Sequence, residues 1–233
     1  MSADLAKLNA AQAALQFVKD GMVVGLGTGS TSAHFVRLLG ERVRQGLRVK
    51  GVPTSEATRH LAEQAGVPLL EISQVSAIDV DVDGADEVDP AFRLIKGGGA
   101  ALLREKIVAA ASREMVVIAD DSKWVETLGA FPLPVEVVRF GFSLTLERVR
   151  EAMAAAGCAG SEAKLRVQGK GQDAIVTDGG NYIIDAQCGA IPDPEMLADG
   201  LKRIVGVVEH GLFIGLSRTV VLGKAVGAEV KRL

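Results

Sequence analysis

Short apolar runs alternate with amphipathic segments of helical period between residues 4 and 119, and this alternation constrains the fold more than any other feature. The runs have the length of buried parallel strands. They lie at Met22–Leu26, Leu47–Val52, Val67–Ile72, the segment from Ile78, and Met115–Ala119. Such an order is typical of the α/β class. We predict a mostly parallel open sheet with helices on both faces, joined by right-handed crossovers.

The stretch from Ile78 to Lys106 combines an acidic strand end, a lysine and a glycine triplet. The strand that starts at Ile78 ends among carboxylates, and a brief strand at Arg93–Ile95 leads to Lys96. Three glycines then precede a helix predicted from about Ala100 to Ala111. Open α/β sheets bind ligands at the carboxyl ends of their strands. We expect the binding groups of this stretch at that edge.

Three aspartates alternate with valines along the acidic strand, and alternation places them on one face; they are Asp79, Asp81 and Asp83. Their spacing resembles the start of a calcium loop, but such a loop requires a glutamate at its twelfth position, which here is Pro90. We therefore exclude a calcium loop. Gly84 predicts a sharp turn that leaves Asp83 and Asp86 projecting beyond the strand.

A turn rich in glycine and hydroxyl groups follows the first strand, and its sequence is Gly25-Leu-Gly-Thr-Gly-Ser-Thr-Ser. A strand, such a turn and a helix form a phosphate-binding layout, because backbone N–H groups at a helix N-terminus attract anions. The dinucleotide fingerprint is broken at Ser30, and no Walker lysine follows. The alternative is a plain strand-to-helix turn in which Ser30, Thr31 or Ser32 caps the helix.

Two further candidates follow the acidic strand. Glu105 lies in the first two turns of the predicted helix, where it is either an exposed helix glutamate or a base beside the glycine triplet. Lys123 follows the strand Met115–Ala119, and it is either a surface lysine or a second cation of the site.

The pattern changes at Phe131–Pro134, where two prolines predict a linker. The predicted elements beyond it are strands at 135–138, 164–167, 173–177 and 182–185, and helices at 144–156 and 194–204, the second capped by Asp193. We predict a small α+β domain of ferredoxin-like type at residues 131–205, inserted into a large catalytic domain of residues 1–130 and 206–233. The apolar runs Val207–Phe213 and Thr219–Leu222 are predicted to return to the large sheet.

Composition excludes several classes of protein. A net charge of −3 argues against a nucleic-acid surface, and no apolar run reaches the length of a membrane span. The start lacks the pattern of a signal peptide, so we expect a cytoplasmic protein. Cys158 and Cys188 lack zinc spacing and are expected to be buried thiols. The histidines show no ligand spacing and are expected to be structural: His34, His60 and His210.

The groups expected at the carboxyl edge suit a sugar phosphate. Hydroxyls and lysines suit a phosphate, whereas aspartates accept hydrogen bonds from sugar hydroxyls. Glu105 remains as a base and Lys96 as a clamp for a developing oxyanion. The sequence offers neither a metal-ligand set nor a nucleophilic triad, so this set of groups favours proton transfer next to a carbonyl without metal or cofactor.

Four motifs, spread in order over the chain, resemble the type A ribose-5-phosphate isomerases. They are Gly25-Leu-Gly-Thr-Gly-Ser-Thr, Val82-Asp-Gly-Ala-Asp-Glu, Lys96-Gly-Gly-Gly-Ala-Ala-Leu-Leu-Arg-Glu-Lys and Phe131-Pro-Leu-Pro-Val-Glu-Val. The resemblance implies interconversion of ribose 5-phosphate and ribulose 5-phosphate through a cis-enediolate, in the non-oxidative branch of the pentose phosphate pathway. It also implies a cofactor-free enzyme that forms homodimers or tetramers.

Carried over residue by residue, the resemblance implies that Glu105 is the base. The implied catalytic partners are Lys96, Asp83 and Asp86. The implied substrate-binding residues are Thr28, Gly29, Ser30, Thr31, Asp83, Gly84, Ala85, Asp86, Lys96, Gly97, Gly98, Gly99 and Lys123. Which of the two aspartates assists opening of the sugar ring stays open.

Three alternatives share this architecture. Amino-sugar-phosphate deaminases and coenzyme A transferases resemble it in their sheet but require other loop motifs. A sugar-phosphate sensor without catalysis would typically carry a DNA-binding helix pair and a basic patch, and the sequence shows neither.

Overall fold

A computed structural model describes residues 2–160, 162–169, 171 and 173–233. In chain order its strands are β1 (Val23–Leu26), β2 (Lys50–Pro53), β3 (Val80–Gly84), β4 (Glu87–Val88), β5 (Leu94–Ile95), β6 (Met115–Asp120), β7 (Leu133–Val137), β8 (Glu162–Leu165), β9 (Tyr182–Gln187), β10 (Val207–His210), β11 (Leu212–Phe213), β12 (Ser217–Gly223) and β13 (Ala228–Arg232). Its α-helices are α1 (Ser2–Ala14), α2 (Ser30–Arg44), α3 (Glu56–Ala65), α4 (Leu102–Ala110), α5 (Phe142–Ala155) and α6 (Pro194–Lys202). None of the helices in this described part is long and apolar enough to cross a membrane.

The chain forms two compact units. Unit 1 contains the described residues of 1–85, 104–124 and 215–233, and unit 2 contains those of 86–103 and 125–214. The boundaries predicted from the sequence, at residues 131 and 205, remain a prediction, whereas the structure places residues 86–103 in the same unit as β7 to β10.

Unit 1 is built on a sheet of six described strands in the order β13–β12–β6–β3–β1–β2. Neighbouring strands from β12 to β2 run parallel, and β13 pairs antiparallel at the edge. Helices α1, α2 and α3 cover one face, in a buried cluster that includes Phe35, Val80 and Val82. Helix α4 covers the other face, where Val108 packs with Val52. The predicted open parallel sheet with helices on both faces is confirmed.

Gly25 in β1 and Gly27 directly after it make room for two aspartates of β3. Asp81 and Asp83 alternate with apolar neighbours and therefore point to the face of the sheet that α4 covers. A Cβ atom on Gly25 would lie 2.5 Å from Oδ1 of Asp81 and 2.7 Å from Cγ1 of Val108. A Cβ atom on Gly27 would overlap the Asp83 carboxyl group. A side chain at either glycine would therefore displace a buried carboxylate.

Unit 2 contains an antiparallel sheet of four described strands in the order β10–β7–β9–β8. With α5 after β7 and α6 after β9, the chain order is β-α-β-β-α-β, a ferredoxin-like arrangement. The ferredoxin-like type agrees with the prediction, but the predicted order was β-α-β-β-β-α, without β10. Asp193 caps α6 as predicted, since its Oδ1 accepts a hydrogen bond from the Met196 N–H at 2.8 Å. A smaller sheet joins β11, β5 and β4.

Two predicted strands are wrong. The run Val67–Ile72 makes a single bridge to Gly51, because Pro68 has no N–H with which to continue a ladder. The run Asp173–Thr177 makes only isolated bridges to its neighbours and no regular strand.

The predictions for the two C-terminal apolar runs have different outcomes. Thr219–Leu222 lies within β12 of the large sheet, as predicted. Val207–Phe213 does not return to that sheet, because β10 pairs with β7 and β11 pairs with β5. The predicted linker at Phe131–Pro134 is also corrected, since Leu133 and Pro134 already belong to β7. Strand β13 was not predicted.

Replacing Gly25 with alanine tests the close packing of β1 against β3. We expect Gly25→Ala to lower the free energy of unfolding by roughly 1–3 kcal/mol, because overpacked interiors must shift to admit a methyl group. Urea unfolding followed by circular dichroism measures the change.

Gly200→Ala is the matched control, since its added methyl would lie 3.7 Å from Cβ of Ala152, an ordinary contact. We expect that variant to keep or slightly raise the stability, as glycine-to-alanine changes in helices do. Equal stability of the two variants would contradict the packing argument.

Candidate active site

The carboxyl ends of the parallel strands bring several predicted residues to one edge of the unit 1 sheet. Thr28 and Gly29 follow β1, and Gly84 is the last residue of β3. Lys123 closes the 3-10 turn that follows β6, and it is half-buried. Parallel strands end on the same side of a sheet, which is where ligands bind in such folds.

Asp83 is the centre of a hydrogen-bond network at this edge. Its buried Oδ1 accepts from the Thr28 N–H at 3.0 Å, from the Gly84 N–H at 2.7 Å and from the Ser32 hydroxyl at 3.3 Å. The Ser32 hydroxyl in turn accepts from the Gly84 N–H at 3.1 Å. Backbone and hydroxyl donors take the place of water around this carboxylate, so the ends of β1 and β3 are fixed to the start of α2.

A cluster of hydroxyl groups that was not predicted surrounds Thr28. Its Oγ1 lies 2.7 Å from Oγ1 of Thr54, 2.8 Å from Oγ of Ser55 and 3.1 Å from Oγ1 of Thr58. Ser55 also caps α3, accepting a hydrogen bond from the Thr58 N–H. The cluster anchors the Thr28 side chain inside the protein. The signal in the sequence was that Thr54 and Ser55 follow β2 at the same carboxyl edge.

The N-terminus of α2 lacks a side-chain cap. Gly29 occupies the cap position with φ of 124°, and no side chain accepts a hydrogen bond there. The alternative that Ser30, Thr31 or Ser32 caps this helix is therefore wrong, because the helix already begins at Ser30. Ser30 is exposed, and the first N–H groups of an α-helix have no acceptors within the helix. This end can receive an anion.

Glu105 lies in the first turn of α4 and is only 3% exposed. The alternative of an exposed helix glutamate is therefore excluded. The preceding residue, Arg104, donates from Nη1 to Oε1 of Glu56 at 2.7 Å, and this hydrogen bond holds the pKa of Glu56 below its usual range. The pair links α4 to the first turn of α3.

In unit 2, Lys96 follows β5 and is 2% exposed. Its Nζ lies 5.4 Å from the centre of the Phe213 ring, a cation–π distance. Its backbone N–H donates to the Gly211 carbonyl at 2.9 Å. The interior position of this cation distinguishes it from an ordinary surface lysine.

The glycine triplet after Lys96 is held by hydrogen bonds on both sides. The Gly98 N–H donates to Oδ2 of Asp86 at 2.8 Å. On the other side, Nη1 of Arg166 donates to the carbonyls of Gly97 at 2.8 Å and Gly98 at 3.1 Å. Gly97 has φ of 105°, which favours glycine. Asp86 and the triplet are thus in direct contact.

Asp185 orients Arg166. The sequence did not indicate that Arg166 would contact the glycine triplet. Oδ2 of Asp185 accepts from Nε of Arg166 at 2.9 Å, and its Oδ1 accepts from Nη2 at 2.5 Å. Both side chains are largely buried. No motif around Arg166 announced this role, because the partners are backbone carbonyls far away in the sequence.

The remaining predicted site residues differ in their burial. Thr31 is buried in the first turn of α2, Ala85 is half-buried between Gly84 and Asp86, and Gly99 is exposed. Within the described ranges, no group of three or more His, Cys, Asp or Glu residues has an arrangement that could hold a metal ion.

Several known proteins are similar to this chain over almost its whole length. The family described as Ribose 5-phosphate isomerase A (phosphoriboisomerase A) matches residues 50–227. The chain is similar to Ribose-5-phosphate isomerase A of Bradyrhizobium diazoefficiens, with 56% identity over 99% of this chain and 96% of that protein. It is similar to the enzyme of the same name from Maricaulis maris, with 54% identity over the whole of both chains.

The fold is similar to a solved D-ribose-5-phosphate isomerase in complex with phospho-erythronic acid. The TM-score is 0.92 and the identity 39%, with all of both chains covered.

Removing the guanidinium of Arg166 tests how the glycine triplet is held. In Arg166→Met we expect backbone amides of residues 97–99 to exchange with deuterium several-fold faster, because two carbonyl contacts are lost. Hydrogen-exchange mass spectrometry of the peptide that contains the triplet measures this.

Arg148→Met is the control, since Arg148 pairs with Glu151 on the exposed face of α5. Its triplet should exchange at the wild-type rate. Unchanged exchange in Arg166→Met would show that the triplet is held by other contacts.

Proposed function

The chain belongs to the ribose 5-phosphate isomerase A family and is an isomerase, and we propose that it interconverts D-ribose 5-phosphate and D-ribulose 5-phosphate through a cis-enediolate. The family match and whole-chain relatives support the substrate. The observation that carries the mechanism is the burial of Glu105 on α4, since a carboxylate shielded from water is suited to general base work.

Glu105 acts as the base in this proposal. With the sugar in its open aldehyde form, the carboxylate removes the proton from C2. The electron pair of the C2–H bond forms the C1–C2 double bond, and the π electrons of the C1 carbonyl move to O1. The protonated Glu105 then returns the proton to C1, while the hydroxyl proton on O2 moves to O1. The carbonyl now lies at C2, and no electrons have been gained or lost.

Lys96 stabilises the negative charge of the enediolate oxygens. A cation in a low-dielectric interior interacts with a developing charge far more strongly than one in water. Lys96 is 2% exposed, and its cation–π contact with Phe213 restrains its position. The backbone N–H groups of Gly97 and Gly99 add donors in this proposal, because the Gly98 N–H already donates to Asp86. The contacts of Asp86 and Arg166 keep that backbone in one conformation.

The remaining predicted residues bind the substrate. We assign the phosphate to the uncapped N-terminus of α2, at Gly29–Thr31, with Lys123 as a further cation. Asp83 and Asp86 accept hydrogen bonds from sugar hydroxyls, and one of them assists opening of the ring. Thr28, Gly84 and Ala85 complete the set of substrate-binding residues in this proposal.

A phosphorylated sugar acid bound to a relative supports this assignment. The solved isomerase of TM-score 0.92 is in complex with phospho-erythronic acid. This compound carries a phosphate, hydroxyls and a planar carboxylate, and a carboxylate resembles an enediolate in shape and charge. A site for such a ligand requires an anion pocket, hydroxyl acceptors and an oxyanion clamp, which are the three roles assigned above.

The wider setting follows from the same resemblance. We propose that the reaction belongs to the non-oxidative branch of the pentose phosphate pathway and takes place in the cytoplasm. The reaction as written needs no cofactor. We also propose that the protein forms a homodimer or a tetramer, for which sedimentation analysis is the direct measurement.

Replacing the base tests the mechanism. We expect Glu105→Gln to lower kcat by about 10²–10⁴-fold, because the amide keeps the shape of the side chain but cannot take a proton. Ribose 5-phosphate should still bind, as isothermal titration calorimetry can show. Glu63→Gln, at an exposed position of α3, is the matched control and should keep full activity. Near-normal turnover of Glu105→Gln would refute the assignment.

Removing the ammonium of Lys96 distinguishes two roles for this residue. Lys96→Met keeps an apolar side chain against Phe213 but removes the charge, so we expect kcat to fall and the Michaelis constant to rise. Steady-state kinetics measure both, and circular dichroism checks the fold. If only the Michaelis constant rose, Lys96 would hold the substrate without stabilising the transition state.

A further inference from the structure

Two cysteines of unit 2, which the isomerase mechanism does not use, lie together. Cys158 follows the turn that ends α5, and it is half-buried. Cys188 follows β9 and is fully buried. Cys188 belongs to the buried hydrophobic cluster of unit 2, and Cys158 packs against that cluster.

Backbone hydrogen bonds hold the segment after α5 beside the segment after β9. The Gly160 N–H donates to the Cys188 carbonyl at 2.6 Å, and the Ala159 N–H donates to the Ala190 carbonyl at 3.3 Å. Gly160 has no room for a side chain, since a Cβ atom would overlap the Gln187 carbonyl. These contacts hold the segment that carries Cys158 beside the segment that carries Cys188.

The environments of the two thiols differ. The hydrogen bond from Cys188 lowers the pKa of Cys158. For Cys188, the same hydrogen bond and its burial raise the pKa, and the charge of Glu87 acts in the same direction. The Glu87 carboxylate is fixed by hydrogen bonds from the N–H groups of Gly129 and Phe131. Cys158 is therefore the thiol that ionises and meets solvent, and Cys188 is the thiol that keeps its proton.

We propose that Cys158 and Cys188 form a reversible dithiol–disulfide site whose oxidant is a small hydroperoxide. In the first step the Cys158 thiolate attacks the terminal oxygen of the hydroperoxide, the O–O bond breaks, and a hydroxide or alkoxide leaves. Cys158 becomes a sulfenic acid. In the second step the Cys188 sulfur attacks the Cys158 sulfur, and the S–O bond breaks. The released hydroxide takes the Cys188 proton as water.

Atoms and electrons balance in this reaction. Two thiols lose two electrons and two protons, and one hydroperoxide is reduced to water and an alcohol, or to two waters if it is hydrogen peroxide. A dithiol reductant reverses the change by thiol–disulfide exchange. The product joins the end of α5 to the end of β9, so it restricts the unfolded chain and should raise the midpoint of thermal unfolding.

Intact-mass measurement of the full-length protein tests the proposal. The protein is treated with hydrogen peroxide, denatured and alkylated with iodoacetamide. We expect the treated wild type to lose the mass of two hydrogen atoms and to take up no alkyl group, and dithiothreitol should restore two alkylation sites. A peptide map without reductant should contain one cross-linked pair of peptides, carrying Cys158 and Cys188.

Two variants separate the roles of the thiols. Cys188→Ser should leave Cys158 to gain oxygen atoms, since no second thiol can displace the sulfenic hydroxyl. Cys158→Ser should react at least ten-fold more slowly, because the remaining thiol is buried and protonated.

The intact-mass measurement of the wild-type protein tests the proposal even if a variant fails to fold. Two alkylatable thiols after treatment, stable oxygen adducts in place of the mass loss, or disulfides between chains would each overturn the proposal.

Discussion

The carboxyl edge of unit 1 depends on the buried carboxylate of Asp83. A charge without water is costly unless donors surround it, and here the donors come from three different elements: the Thr28 N–H after β1, the Ser32 hydroxyl in α2 and the Gly84 N–H that ends β3. Because one acceptor serves all three, the interactions that stabilise the charge also fix the geometry of the edge. Recognition of the proposed substrate depends on direction as well as on charge, and a rigid edge suits that role.

Glycines serve two different purposes around this edge. Gly25 and Gly27 lie within or directly after β1, and they leave the space that Asp81 and Asp83 fill. Gly29 instead adopts φ of 124° at the start of α2, which leaves that helix end without a side-chain cap. A sequence motif read as one phosphate loop therefore combines packing glycines with one conformational glycine.

Unit 2 shows the same use of charged side chains to order backbone. Asp86 accepts from the Gly98 N–H, and Arg166, oriented by Asp185, donates to the carbonyls of Gly97 and Gly98. A glycine triplet has high conformational entropy, so side chains have to hold it if it is to present its N–H groups in one direction. Arg166 lies 69 residues from Gly97 and 68 residues from Gly98 in the chain.

The sequence by itself determined the fold class, the presence of a small α+β sheet, most helices and the family, because these depend on periodicity, local turn chemistry and long motifs. It also identified Glu105 as a candidate base, but it did not determine whether this side chain is buried or exposed. Only the tertiary structure decided that Glu105 is buried, that Val67–Ile72 is not a strand, and that β10 pairs within unit 2. It alone brought Thr54 and Thr58 to Thr28, Arg166 to the glycine triplet, and Cys158 to Cys188. The physical reason is the same in each case: pairing and burial depend on residues that are distant in sequence, and a local pattern carries no information about which distant partner arrives.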